Sequence, residues 1–191
     1  MPVAPENAVT VKNLLAAYEG ESNAAAKYAS FANKASEDGL HGAASLFRAA
    51  SRAEQIHATN HARVIQQLGG EVKCEIHPAE VKTTLENLKV ALGGEQYEIE
   101  TMYPEFLAEA TQRGNKAAVR TFTYALEAEK THARLYGEAI ALVAGGKLDS
   151  WVSEPREFYV CPVCGYTSEN EEEHERCPVC NLPWEKFEII R

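Results

Sequence analysis

Residues 51–64 read SRAEQIHATNHARV. With no Pro or Gly, the stretch has the composition of a helix interior. Its apolar stripe, at spacings of three and four, runs through Leu40, Ala43, Phe47 and Ala50. It should continue at Glu54, His57 and His61 before resuming at Val64 and Leu68. A helix that turns a carboxylate and an imidazole inward, one turn apart, has to compensate them. A bare carboxylate in a core is costly unless it is paired, hydrogen-bonded or bound to metal.

The same interruption recurs in three other segments. The spacing predicts helices over residues 9–38, 40–68, 83–113 and 115–144, ended or joined by Gly39, Gly69-Gly70, Gly114 and Gly145-Gly146. Gly93-Gly94 is expected to mark an irregularity in the third helix and Pro104 a kink. Residues 71–80, with their Pro, form a longer connection suited to a crossover. Four long helices with tight first and last joints imply an antiparallel four-helix bundle. The first stripe carries Glu21, between Tyr18 and Ala25. The third carries Glu95, then Glu98 or Ile99. The fourth carries Glu129 and His132, between Ala125 and Tyr136. Glu19, Glu100 and Glu127 fall two residues from their stripes and should face solvent.

Carboxylates from four helices meeting in one core would repel and protonate. A cation removes that difficulty by holding them ionised. Residues three apart share a helix face, so Glu54 with His57, and Glu129 with His132, reach one centre. One Glu-x-x-His on a helix is commonplace, but four stripes interrupted in register are not. Glu21 to Glu54 spans 33 residues and Glu95 to Glu129 spans 34, as if a helix pair were duplicated. Ferritin-like di-iron bundles take one Glu from each of two helices and Glu-x-x-His from each of the other two. Glu21 and Glu95 fill the first role; Glu54/His57 and Glu129/His132 fill the second. Glu98, three residues after Glu95, adds an oxygen ligand, an alternative to a neutral His57 that a more highly charged ion should prefer. His61 stands behind the site, packed or in an outer sphere. Tyr28 and Tyr103, two turns past Glu21 and Glu95, belong to the core within hydrogen-bonding reach of it. Glu and His accept iron, manganese or zinc, so the residues alone leave the metal open.

Composition changes after residue 147. Residues 1–147 are expected to form the bundle and 148–191 a small second domain. There CPVCGYTSENEEEHERCPVC sets Cys161-x-x-Cys164 and Cys177-x-x-Cys180 apart by twelve intervening residues. Two such knuckles give tetrahedral thiolate coordination for iron or zinc, and a structural zinc ribbon is the simplest alternative to an iron site. Phe158, Tyr159, Tyr166, Trp184 and Phe187 should pack around them, with residues 169–175, including His174, as a solvated loop. Cys74 is left as a reduced thiol without a role.

A formal net charge of −9 argues against a nucleic-acid surface. No apolar run reaches the length of a membrane span. The beginning, MPVAPENAVT, lacks a basic segment followed by an apolar one, so a secretory signal is not expected and a cytoplasmic location is.

With Glu21, Glu54-x-x-His57, Glu95-x-x-Glu98, Glu129-x-x-His132 and the two knuckles in that order, the chain resembles the rubrerythrin family over essentially its whole length. Asn181 departs from the Gly that often follows the second knuckle, but Asn tolerates the left-handed conformation. The resemblance implies an all-α ferritin-like bundle followed by a rubredoxin-like domain. It implies a peroxidase that reduces hydrogen peroxide to water, with two irons in the bundle and one in the four-cysteine site, zinc or manganese being possible substitutes. One bundle iron would exchange His57 for Glu98 as its oxidation state changes. The resemblance further implies a head-to-tail homodimer, the two sites of one chain being too far apart to exchange electrons. Glycine pairs here form no nucleotide-binding fingerprint, so electrons are expected from a rubredoxin or a nicotinamide-dependent reductase. Iron oxidation and storage, as in ferritins, is the alternative; it explains neither Glu98 nor the knuckles. A scaffold carrying zinc is a third; it leaves the buried carboxylates without purpose.

Overall fold

The structure, a computed structural model, describes residues 3–146, 150–169 and 175–191. The helices α1 (Ala8–Glu37) and α2 (His41–Gln67) form one antiparallel hairpin, and α3 (Thr84–Tyr97) with α5 (Lys116–Ala144) forms the other. Between α3 and α5 lie a π-helical turn, Glu98–Met102, and α4 (Tyr103–Gln112), which prolongs the third helix. Gly39 and Gly114 make the tight joints with φ of 72° and 67°. There Leu40 N–H reaches back to Ala35 O at 2.8 Å, and Asn115 N–H to Ala110 O at 2.9 Å, closing the helix ends. The third helix starts at a capping box, Thr83 with Glu86.

The expected irregularity at Gly93-Gly94 is not there; both lie inside regular α3. It falls at Glu98–Met102 instead, where the Tyr103 N–H bonds Glu98 O, five residues back. Two helical glycines cost only about 1 kcal/mol each, which packing overrides. Pro104, by contrast, brings no N–H to the carbonyl four residues before it, and the helix widens just ahead of it. The extra residue has a steric consequence. In a straight helix Tyr103 would sit about 80° round from Glu95, whereas one inserted residue brings it within about 20°. Met102 and Tyr103 are accordingly buried and Phe106 only partly so.

Two apolar clusters fill the bundle. One contains Tyr28, Phe31, Phe47 and Tyr136; the other contains Leu14, Tyr103 and Phe122. The titratable residues named above lie between them.

The C-terminal unit begins with α6 (Ser150–Ser153) and a three-stranded antiparallel sheet in the order β2-β1-β3 (Thr167–Ser168, Phe158–Val160 and Glu188–Ile190). The expected domain boundary at 147/148, and His174, lie outside the described residues. The miniature aromatic core is partly as expected, with Trp184 stacked on Phe187 at 4.1 Å and Tyr159 at 5.6 Å from Trp184. Phe158 is a correction: it and Val160 join the bundle's own apolar cluster. The unit therefore sits on its own bundle, held by a two-point ion pair of Arg52 with Glu188 at 2.6 and 2.8 Å.

Candidate metal centre

α1 contributes Glu21, α2 Glu54 and His57, α3 Glu95, and α5 Glu129 and His132; each is 0–1% exposed. Their donor atoms form two groups, each within 4.8 Å. One is Glu21, Glu54, His57 and Glu129; the other is Glu54, Glu95, Glu129 and His132. Glu54 and Glu129 belong to both, the arrangement of two carboxylates shared between adjacent ions. Sequence spacing brought these six residues together but gave no sign of the sharing.

The fit to cations rests on hydrogen-bond bookkeeping. His57 Nε2 lies 3.0 Å from Cys164 O, a carbonyl that can only accept, so Nε2 carries the proton. In the neutral ring Nδ1 is then a bare lone pair, and it lies 2.9 Å from both Glu54 Oε2 and Glu129 Oε1. Lone pairs facing at that distance need a proton or a metal between them. His132 repeats the pattern. Its Nε2 is 3.1 Å from Thr167 Oγ1, whose own hydrogen goes to Gly165 O, and its Nδ1 is 2.7 Å from Glu129 Oε2. Glu21 Oε2, Glu54 Oε1 and Glu129 Oε1 are buried without a hydrogen bond. Donor chemistry, orphaned oxygens and outer-sphere support of both imidazoles fit two cations bound through oxygen and Nδ1.

The electrostatics of the bare carboxylates say the same. Burial, then the charges of neighbouring carboxylates, pushes Glu54 and Glu95 well above the ordinary range, and burial pushes up Glu129. For Glu21 burial also acts upward, but His57 outweighs it and holds the carboxyl below its usual value. Burial draws the His132 pKa down to about 4, so this ring is neutral and ready to ligate.

Glu98 does not join either group. It is half-buried and makes no hydrogen bond among the described residues, yet burial and then the charges of Glu21, Glu129 and Glu95 raise its pKa. It stands beside the cage, not in it. The phenols of Tyr28 and Tyr103 close the outer sphere: Tyr28 donates to Glu95 Oε1 at 2.7 Å, and Tyr103 donates to Glu21 Oε1. His61 is no ligand. It receives the Thr121 hydroxyl hydrogen on Nδ1 at 2.9 Å and donates from Nε2 to Tyr103 at 3.2 Å. Thr121 and Thr167 went unnoticed in the sequence, where nothing distinguishes them. Of the three excluded acids, Glu19 and Glu100 are exposed, and Glu127 pairs with Lys130 at the surface.

The second site is built from two like turns. Sγ of Cys161 and Cys180 are 3.4 Å apart, and those of Cys164 and Cys177 are 3.5 Å apart. A disulfide needs about 2.05 Å. Four sulfurs about 2.3 Å from a central metal stand about 3.8 Å apart, close to what is seen. After each knuckle the chain turns left-handed, at Gly165 (φ 80°) and at Asn181 (φ 65°), as Asn was expected to allow.

The two sites are not far apart within this chain, contrary to expectation: His57 Nδ1 faces the cage while Nε2 meets the backbone of Cys164. The reason is geometric. His132 lies twelve residues before the end of α5, about 18 Å of helix, and the connection 145–157, with α6 within it, can reach up to about 36 Å. Gly42 in α2 lets the backbone of Trp151 lie against the helix, since a Cβ there would collide with the Trp151 carbonyl.

Comparison with known proteins follows the same division. The rubrerythrin family model matches residues 12–140, and that of the rubrerythrin rubredoxin-like domain matches 159–188. Rubrerythrin-2 of Clostridium acetobutylicum is 37% identical over 186 residues, covering 97% of this chain and 98% of that protein. Nigerythrin of Nitratidesulfovibrio vulgaris is 37% identical over 179 residues, covering 93% and 85%. The solved structure of fully reduced, all-ferrous nigerythrin superposes with a TM-score of 0.83 at 36% identity, over 94% of this chain and 86% of that one. A bacterioferritin from Rhodobacter capsulatus, at 22% identity and a TM-score of 0.68, shares the bundle fold.

Proposed function

The chain belongs to the rubrerythrin family, and on that premise we propose that it is a non-haem di-iron peroxidase reducing hydrogen peroxide to water, its electrons relayed through the four-cysteine iron. The observation that carries this reading is His57, one ring joining the carboxylate cage to the backbone of a cysteine ligand. Bound in the cage, the iron pair would supply the two electrons that, with two protons, turn one peroxide into two waters. The chain's own residues do the rest. Glu54 and Glu129 would be shared by the pair, with Glu21 and His57 on one side and Glu95 and His132 on the other. Tyr28 and Tyr103 fix the two unshared carboxylates, and burial keeps bulk water from the site.

Glu98 is the exchanging ligand in this reading. It lies outside the cage while His57 is inside, and a more highly charged ion held there would favour the harder carboxylate of Glu98 over the imidazole. An iron held by Cys161, Cys164, Cys177 and Cys180 would take electrons from a donor protein, a rubredoxin or a nicotinamide-dependent reductase, and the hydrogen bond from His57 Nε2 to Cys164 O would be their path toward the cage. A homodimer and a cytoplasmic location complete the proposal; among the described residues no helix is long and apolar enough to cross a membrane.

Iron per chain and the visible spectrum of the oxidised protein test it. About three irons, with a ferric-thiolate spectrum bleached by reductant and restored by peroxide, are expected. Zinc at the cysteines and no recovery with peroxide would refute the relay. Ferroxidase activity of the ferritin type is the second reading, favoured by the shared bundle. Glu98→Ala separates the two: peroxide turnover unchanged while ferrous oxidation falls would decide for the ferroxidase.

A further inference from the structure

Four glycines lie inside helices with no packing reason to be there, Gly20, Gly93, Gly94 and Gly137, and two of them, Gly20 and Gly94, have something more in common. A helical Gly costs about 1 kcal/mol relative to Ala. A Cβ on Gly20 in α1 would meet nothing within 4 Å, and one on Gly94 in α3 would meet only the Tyr28 hydroxyl, at an ordinary 3.6 Å. Both have φ in the helical range, so neither backbone requires Gly. They share a different property. Each immediately precedes a cage residue, Glu21 or Glu95, and both line one cavity of about 470 Å³.

That cavity lies between α1 and the α3–π-turn junction, roofed by the connection from α2 to α3, with Glu98 in its lining. Its roof is tied down: Asn23 accepts from His77 N–H at 2.8 Å and donates to Glu75 O at 3.0 Å. Glu98, half-buried and without a hydrogen bond among the described residues, lines the cavity beside Tyr28, whose hydroxyl donates to Glu95 Oε1 of the cage at 2.7 Å. A larger cavity of about 830 Å³ between α1 and α2 is lined by neither of these glycines, nor by Glu98 or Tyr28.

We propose that the cavity lined by Gly20, Gly94 and Glu98 is the entrance through which small hydroperoxides and anions of similar size reach the cage, and that the two glycines keep it open. A side chain at either position would project into free space, and free space there is the path. The physiological molecule rests on the peroxidase reading; the path does not.

Gly93 supplies an internal control. It too is helical, and a methyl added to it would meet nothing within 4 Å, but it is exposed and does not line the cavity. The experiment is stopped-flow binding of azide to the oxidised, iron-loaded full-length protein, followed by its absorption. In Gly20→Val/Gly94→Val the association rate should fall about tenfold or more, with an unchanged final spectrum, while Gly93→Val stays within about twofold of the parent. Because two β-branched residues burden a helix, Gly20→Ala/Gly94→Ala is measured beside it. That pair raises helix propensity and should slow azide about threefold without lowering the melting temperature. Parental rates in the valine pair, or in the alanine pair should the valine pair not hold iron, overturn the entrance. A parent protein that binds azide by this route yet fails to turn over peroxide would instead overturn the peroxidase and leave the entrance standing.

Discussion

The two metal sites solve one problem by opposite means. The cysteine site is local: four ligands come from two turns, each closed by its own backbone bonds, Cys161 N–H to Tyr166 O at 2.9 Å and Cys177 N–H to Leu182 O at 2.8 Å. The carboxylate cage is global, drawing its ligands from four helices that meet only in the folded bundle. Local assembly makes a site that survives changes elsewhere. Global assembly makes one in which any shared ligand, and the cation itself, is part of the fold's core.

The sharpest way to break this comparison is to remove a shared carboxylate. Glu54→Ala takes a ligand from both groups at once, so both bundle ions should be lost and iron per chain should fall by about two. The cysteine spectrum should be untouched. Metal analysis beside the visible spectrum decides the matter, and retention of a full iron pair would mean that Glu54 is not shared.

Next in size is the effect of pH on the metal-free protein. Glu54, Glu95, Glu98 and Glu129 have raised pKa values, chiefly through burial. Each holds its proton more tightly folded than unfolded. The stability this gives is complete below the unfolded value of about 4.3 and is lost as pH rises through the folded value. His57, raised well above its usual value by Glu129 and Glu21 against burial, adds a loss of the same sign above about pH 6.5. Glu21, lowered, acts the opposite way, but only below its ordinary range. Bound cations need ionised ligands, so their contribution grows with pH. The gap in melting temperature between loaded and metal-free protein should therefore widen from about pH 5 to about pH 8. A constant gap would show that the cage carboxylates are not coupled to folding.

The sequence carried the cage because burial and charge conflict there: an acid on an apolar stripe is a local anomaly, and four anomalies at matching spacing identify one centre. What it concealed is what depends on departures from regular geometry. Tyr103 was expected in the core near the site, but the π-turn after Glu98 that swings it round toward the side of Glu95 is something a fixed 3.6-residue period cannot register. The docking of the cysteine unit was hidden for another reason. Phe158 and Val160 look like the core of a small domain until the bundle surface that receives them is known.

The interface between the sites gives a middle-sized test. A Cβ on Gly165 would run into the His57 imidazole, and its φ of 80° strains any other residue. Gly165→Ala should cost about 2 kcal/mol and weaken the junction that His57 makes with Cys164 O. Thermal denaturation, with the rate at which reduced cysteine iron is reoxidised through the bundle, measures both. An alanine that leaves the two unchanged would separate the cysteine unit from the cage.

Asn181 is the counterpart of Gly165 and carries the smallest expected effect. The two turns are the same: Gly165 N–H bonds Cys161 O and Asn181 N–H bonds Cys177 O, both at 2.9 Å, and both residues are left-handed. Only their surroundings differ, since Gly165 faces His57 and Asn181 is exposed. Replacing Asn181 by Gly relieves a small left-handed strain and gives back some freedom to the unfolded chain, two changes that nearly cancel. The Arg176 guanidinium bonds the backbone oxygen of residue 181 at 3.0 Å, a contact that Gly retains. Asn181→Gly should thus shift stability by no more than about 0.5 kcal/mol and leave the cysteine spectrum alone. A gain as large as the loss from Gly165→Ala would mean that the turn itself, and not the neighbouring imidazole, sets the demand for Gly at the first knuckle.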